Sequence, residues 1–153
     1  MKIAFFIAHP SQYYLFRQSA KEISQSHDTY LVYFDKDVIK ELIHSDSYGT
    51  TSYCIRSSDG SSKFSFIKNF IIKEYELSKF LKKNKIDLII GTSVAIAHTS
   101  YLYGIKSIIF TEDDIDVISL SAKIGYPFCN TIVSPEVCSL GKWEYKSVKY
   151  NGY

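Results

Sequence analysis

Four carboxylates fall within the run Glu112-Asp113-Asp114-Ile115-Asp116, directly after an apolar stretch of the kind that forms a buried strand. Carboxylates this close repel one another, which favours a retained proton near neutral pH and suits Glu112, Asp113 or Asp114 to general-acid or general-base chemistry. The competing reading is a helix cap, in which Asp113 or Asp114 satisfies the N–H groups of a following helix and its neighbours favour that helix's positive end. His9 ends the first apolar run and precedes Pro10. An imidazole there serves as an acid or base, or as a partner for a sugar hydroxyl. The plain alternative is a loop histidine fixed by backbone hydrogen bonds.

Gly91-Thr92-Ser93 places a glycine and two hydroxyls where a strand passes into a helix. Free N–H groups and hydroxyls at such a point hold a phosphate, a carboxylate or a sugar hydroxyl, or simply cap the helix. Ser11 opens the first helix, as an N-cap or as a ligand-facing hydroxyl. His98 lies one helical turn beyond Val94, so it either packs within its layer or turns toward the site. His27 and His44 sit at helix ends, where a cation suits the dipole, and read as structural.

Several chemistries are excluded. Neither G-x-G-x-x-G nor G-x-x-x-x-G-K-[ST] occurs, so the usual phosphate cradles of dinucleotide and P-loop proteins are missing, and no cofactor is expected. No His-x-x-x-His or Cys-His spacing gathers metal ligands. Cys54, Cys129 and Cys138 form an odd set without a C-x-x-C pair, which reads as free thiols in a reducing compartment. A formal charge of +2 over 153 residues lacks the basic excess of a nucleic-acid binder. No stretch approaches the length of a membrane span and the first apolar run is too short for a signal peptide, so the expected location is cytoplasmic. Charge is nonetheless uneven, because residues 63–85 hold seven lysines against two glutamates. Lys63, Lys68, Lys73, Lys79, Lys82, Lys83 and Lys85 accompany Phe64, Phe66, Ile67, Phe70 and Ile71. That helix, 64–84, is either a solvated basic face or a peripheral contact with the inner face of a membrane.

These residues need elements to hold them. Residues 2–8 are almost wholly apolar, as a strand buried on both faces is. Helix 11–26 and strand 29–34 follow, and the pattern repeats: helix 36–45, strand 52–56, helix 64–84, strand 87–90, helix 94–103, strand 107–110, helix 115–124, strand 131–134 and a last strand 147–150. The serine-rich stretch 57–62 reads as a surface loop. Such alternation predicts an α/β fold, a Rossmann-like three-layer domain with a mostly parallel sheet of six to seven strands. In a parallel sheet the strand ends share one edge, which brings His9, Ser93 and the 112–116 run together where open α/β sheets bind their ligands.

The apolar first strand ending in His9-Pro10, Asp87-Leu88-Ile89-Ile90-Gly91-Thr92-Ser93, Gly104-Ile105-Lys106-Ser107-Ile108-Ile109-Phe110 and Ile132-Val133-Ser134-Pro135-Glu136 together resemble the N-terminal half of the GT-B glycosyltransferase superfamily. Within it, the pattern is similar to the uncharacterised bacterial and archaeal proteins related to UDP-N-acetylglucosamine 2-epimerase. Lys106 stands where that pattern often has proline, and Tyr150-Asn151-Gly152-Tyr153 resembles the start of its Y-x-G-Y-x-E linker to a second domain. The resemblance implies an acceptor-side domain of a sugar-transferring or sugar-isomerising enzyme, serving surface-polysaccharide synthesis, with no turnover by the 153 residues alone. It implies a proton-transferring carboxylate among Glu112, Asp113 and Asp114, assisted by His9. Ser11, Gly91, Thr92, Ser93, His98 and Glu136 would contact substrate, and the implied partners are a nucleotide sugar, held mainly by the second domain, and a sugar or lipid-linked acceptor. The rival is a self-sufficient flavodoxin-like or receiver-like binding module, which has similar size and alternation.

Overall fold

Apolar runs such as Ile3-Ala4-Phe5-Phe6-Ile7 have no polar face to give to water, so their strands must lie between two helical layers. The computed structural model, which describes residues 1–34, 37–45, 49–55 and 63–152 (side chains of 37 and 63–70 excepted), shows that arrangement. In chain order the elements are β1 (Lys2–Ile7), α1 (Pro10–Ser24), β2 (Asp28–Phe34), α2 (Asp37–Ser45), β3 (Thr51–Ile55), α3 (Lys63–Asn84), β4 (Leu88–Gly91), α4 (Val94–Leu102), β5 (Lys106–Phe110), α5 (Ser119–Gly125), β6 (Thr131–Pro135) and β7 (Ser147–Tyr150). The predicted loop 57–62 and the side chains of the first turns of α3 lie outside the described residues.

All strand pairs are parallel, in the order β3-β2-β1-β4-β5-β6-β7. The chain starts in the middle of the sheet, builds to one edge, returns to pair β4 with β1, and builds to the other. Strand order therefore reverses between β1 and β4, where the loops leaving the two strands diverge and open a crevice. A flavodoxin-like or receiver-like sheet places its third strand beside its first, so this order rules that rival fold out.

Side-chain alternation along the strands divides the core in two. Ile3, Phe5 and Ile7 face α1 and α2, where they meet Tyr13, Phe16, Ala20, Ile39 and Ile43. Ala4, Phe6, Val32, Ile89, Ile109 and Ile132 face the other way, onto Leu77, Phe80 and Leu81 of α3, Ile96 and Ala97 of α4, and Ala122 and Tyr126. At the crossing of β4 the sheet allows no side chain. A Cβ on Gly91 would stand 3.0 Å from the Phe6 carbonyl oxygen and 3.2 Å from Phe6 Cβ.

Two expected caps are corrected. Ser11 does not cap α1; His9 does, its Nδ1 accepting from the Ser11 N–H at 3.3 Å, because Pro10 takes the first helical position and moves the start back by one. Nor do Asp113 and Asp114 cap a helix. The predicted helix 115–124 begins only at Ser119, with Ile118 at its cap position and no side-chain bond there. Asp114 Oδ1 instead accepts from the Ser139 N–H at 2.6 Å, and Ile115 N–H donates to Ser139 O at 2.9 Å, tying the chain after β5 to the chain after β6.

Candidate functional site

The crevice at the strand-order reversal is a cleft of about 330 Å³. Ser11, Gln12 and Leu15 of α1 form one wall, Thr92 and Val94 the middle, and Ile109 to Asp113 with Ile118, Ser121 and Tyr126 the other. Each wall is set by a strand end: β1 delivers α1, β4 delivers Thr92, and β5 delivers Thr111, Glu112 and Asp113. A second cavity of about 310 Å³, lined by Leu15, Glu112, Pro135, Tyr150 and Gly152, shares Leu15 and Glu112 with the first. Glu112 thus stands between two adjoining hollows on the carboxyl edge of the sheet.

Gln12 holds the two diverging loops together. Its Oε1 accepts from the N–H of Ala8 at 2.7 Å and of His9 at 3.3 Å, while its Nε2 donates to Thr92 Oγ1 at 2.5 Å. One amide thus fixes the end of β1 and the end of β4 at once. Gln12→Ala leaves the part-buried Ala8 N–H without its acceptor and is expected to cost about 1–3 kcal/mol, read as a shift in the urea midpoint at constant slope. A change below the error of the fit would show that the brace is dispensable.

The residues singled out in the sequence separate in space. Ser11, Thr92, Glu112 and Asp113 line the cleft, with Gly91 beneath Thr92. His9 is exposed at the head of α1, its Nδ1 2.9 Å from Ser11 Oγ. Ser93 caps α4, its Oγ accepting from the Ala95 N–H. Asp114 is turned to the loop after β6. Glu136 is exposed beyond β6, its N–H bonded to Tyr150 O. His98 lies between helices: its Nδ1 is 2.9 Å from Glu74 Oε1 of α3, its Nε2 2.7 Å from Ile124 O of α5, and its ring meets Phe128 edge to face. Both ring nitrogens are occupied there, away from the cleft residues. Among the described residues no three His, Cys, Asp or Glu side chains gather as a metal site requires.

Sequence reasoning passed over Gln12 and Tyr126. A glutamine three residues after a helix cap is the capping-box signal, and it was readable once His9 is taken as the cap. Tyr126 gave no such signal, since it follows α5 in a single 3₁₀ turn, Tyr126–Phe128, that only tertiary packing fixes. It is 3% exposed, and its hydroxyl has no hydrogen bond of ordinary geometry, although Thr111 is near enough to act on its ionisation. Burial pushes the phenol above its usual 10.0, the hydrogen-bonding pull of Thr111 opposes this, and Cys129, Asp113 and Cys138 add to it. Burial likewise pushes the Cys129 thiol above 9.0, against the pull of Lys146. An acid whose folded pKa is raised stabilises the fold while neutral: the contribution is whole below the unfolded value and is lost as pH rises through the folded one. Stability should therefore fall from about pH 9 upward. Tyr126→Phe should flatten that alkaline decline and, by removing an unsatisfied buried hydroxyl, hold or raise stability at pH 7 by up to about 1 kcal/mol. Urea midpoints across the alkaline range test it, and an unaltered decline in the variant would refute the assignment.

The sheet order and the flanking helices define a Rossmann-like domain with an open crevice at its carboxyl edge, and solved structures share its fold. MurG of Acinetobacter baumannii matches all of this chain over 46% of its own, at a TM-score of 0.73 and 12% identity. The UDP-N-acetylglucosamine 2-epimerase of Rickettsia bellii matches 99% of this chain over 45% of its own, at 0.72 and 12%. Anabaena HepE, solved in complex with UDP and glucose, matches all of this chain over 45% of its own, at 0.68 and 12%. At such identities the likeness is one of fold, the Rossmann-like domain of GT-B glycosyltransferases and UDP-sugar epimerases. The chain spans less than half the length of each of these three proteins. No protein-family model matches it, and neither does any curated protein sequence.

Proposed function

We propose that this chain is the N-terminal, acceptor-side half of a two-domain enzyme that transfers or isomerises the sugar of a nucleotide sugar. The observation that carries the reading is the cleft itself. It lies at the strand-order reversal, has a carboxylate wall at Glu112 and Asp113 facing hydroxyl and amide groups at Ser11, Gln12 and Thr92, and belongs to a domain that spans under half of each of the three solved proteins compared above. Hydroxyls and an amide suit the hydroxyl pattern of a sugar, and a carboxylate beside them suits removal or return of a proton. In this reading His9 stands at the rim, a facing domain holds most of the diphosphate, and the product class is a surface polysaccharide.

The test compares the 153-residue chain with the intact product of its gene, each supplied with radiolabelled UDP-N-acetylglucosamine and UDP-glucose and with lipid-linked or free sugar acceptors. The expected result is transfer or epimerisation by the intact product and none by the 153 residues. Turnover by the 153 residues alone would sink the half-enzyme reading. An intact product of this same mass, or one inert toward every nucleotide sugar, would sink it equally.

A further inference from the structure

The helical layer made by α3, α4 and α5 has an outer face that the cleft does not use. A helix that packs one stripe into a core ordinarily gives polar side chains to water. Here α3 exposes Ile71 at 59% and Tyr75 at 60%, the last turn of α4 exposes Tyr101 at 66% and Leu102 at 72%, and Phe128 is 37% exposed beyond α5. These are not scattered singles. The Tyr101 and Phe128 rings lie 5.2 Å apart, Phe128 meets His98, and His98 reaches both Glu74, next to Tyr75, and the backbone of Ile124. Exposed apolar side chains gathered on one helical layer in this way mark an interaction surface.

Its surroundings say what covers it. Lys79, Lys82 and Lys83 are exposed on α3, Lys123 on α5 and Lys106 at the foot of β5. Lys79 Nζ lies 5.3 Å from the Tyr75 ring centre. The acidic residues of the described α3 side chains, Glu74 and Glu76, are engaged by His98 and Lys79. Exposed aromatic and aliphatic groups with exposed lysines on the same helices, and with Glu74 and Glu76 already paired, match a surface that is apolar within and anionic at its head groups. We propose that this flank of the domain docks on an anionic lipid bilayer as a peripheral face. Among the described residues no helix is long and apolar enough to cross a membrane, so the contact is one of resting on the surface. None of these side chains lines the cleft, so docking leaves the sheet's carboxyl edge open.

The experiment sediments the full chain with vesicles of phosphatidylcholine, with and without phosphatidylglycerol. Pelleting is expected only where phosphatidylglycerol is present, and it should weaken with salt as surface charges are screened. Tyr101→Ser with Leu102→Ser, and separately Lys79→Gln with Lys82→Gln and Lys83→Gln, should each lower the bound-to-free ratio at least about tenfold. Tyr14→Ser, at an exposed tyrosine of α1 on the opposite layer, should leave it unchanged. The two sets of variants alter surface positions by different chemistry, so misfolding of one leaves the other decisive, and circular dichroism monitors both. Absence of pelleting, pelleting indifferent to phosphatidylglycerol, or equal loss in Tyr14→Ser would overturn the proposal. So would a concentration-dependent dimer abolished by the Tyr101 and Leu102 changes, which would assign the face to a second copy of the chain.

Discussion

Phe6→Ala is expected to remove about 3–5 kcal/mol of folding stability. Phe6 is 1% exposed in the centre of β1, paired in register with Val32, and its ring packs edge to face on Phe34 at 5.1 Å. The site is enclosed by strands on both sides and by the α3–α4 layer below, so it has little room to collapse around a deleted ring. A domain of this size holds about 5–15 kcal/mol in all, so the loss would be about a fifth or more of the total. The effect should also reach the cleft. Phe6 Cβ and its carbonyl crowd the place where a side chain on Gly91 would stand, and Thr92, the next residue, is held by Gln12. Urea unfolding of Phe6→Ala, with the exposed edge-strand change Val148→Ala as reference, measures it. The reference should move by no more than about 0.5 kcal/mol. A loss below about 1 kcal/mol for Phe6→Ala would contradict the packing of the second core described above.

The part of this architecture that local sequence specifies is the part that depends on burial and on chain direction. Phe5-Phe6-Ile7 and Leu88-Ile89-Ile90 read as strands because a parallel strand buried on both faces has no polar alternation to lose. Once parallel alternation is read, the common edge of His9, Thr92 and Glu112 follows from geometry, since every strand must end on the same side. Local sequence is silent where distant backbone decides. The acidic run looked like a helix start because Asp caps helices well, yet Asp114 is recruited by Ser139, 25 residues away, and the helix forms later. His98 was correctly placed on a helix, but helical spacing alone does not say which neighbour a residue faces. Its partners, Glu74 and Ile124, come from two other crossovers. Tyr126 shows the same limit, because its burial depends on β5, α5 and the 3₁₀ turn Gly141–Lys146 meeting around it.

In the intact product of the gene, Glu112→Gln is expected to lower sugar transfer or epimerisation by at least about 10²-fold. Glu112 is exposed where both hollows of the carboxyl edge meet, so a sugar bound in either would reach it; Asp114, which lines neither hollow, accepts from the Ser139 N–H. Glutamine keeps the length and a hydrogen-bonding oxygen but neither takes nor returns a proton. The loss should therefore fall on kcat with KM little changed, and one limb of the pH–rate profile should disappear. Asp114→Ala separates chemistry from support. It should cost about 1 kcal/mol of stability through the unsatisfied Ser139 N–H while keeping most of the turnover of the folded fraction. Asp113 is the control that decides between neighbours, since it lines the cleft but not the adjoining hollow. A loss in Asp113→Asn with none in Glu112→Gln would move the proton to Asp113. Full activity in both variants would remove the acidic loop from the chemistry and leave it only a wall of the cleft.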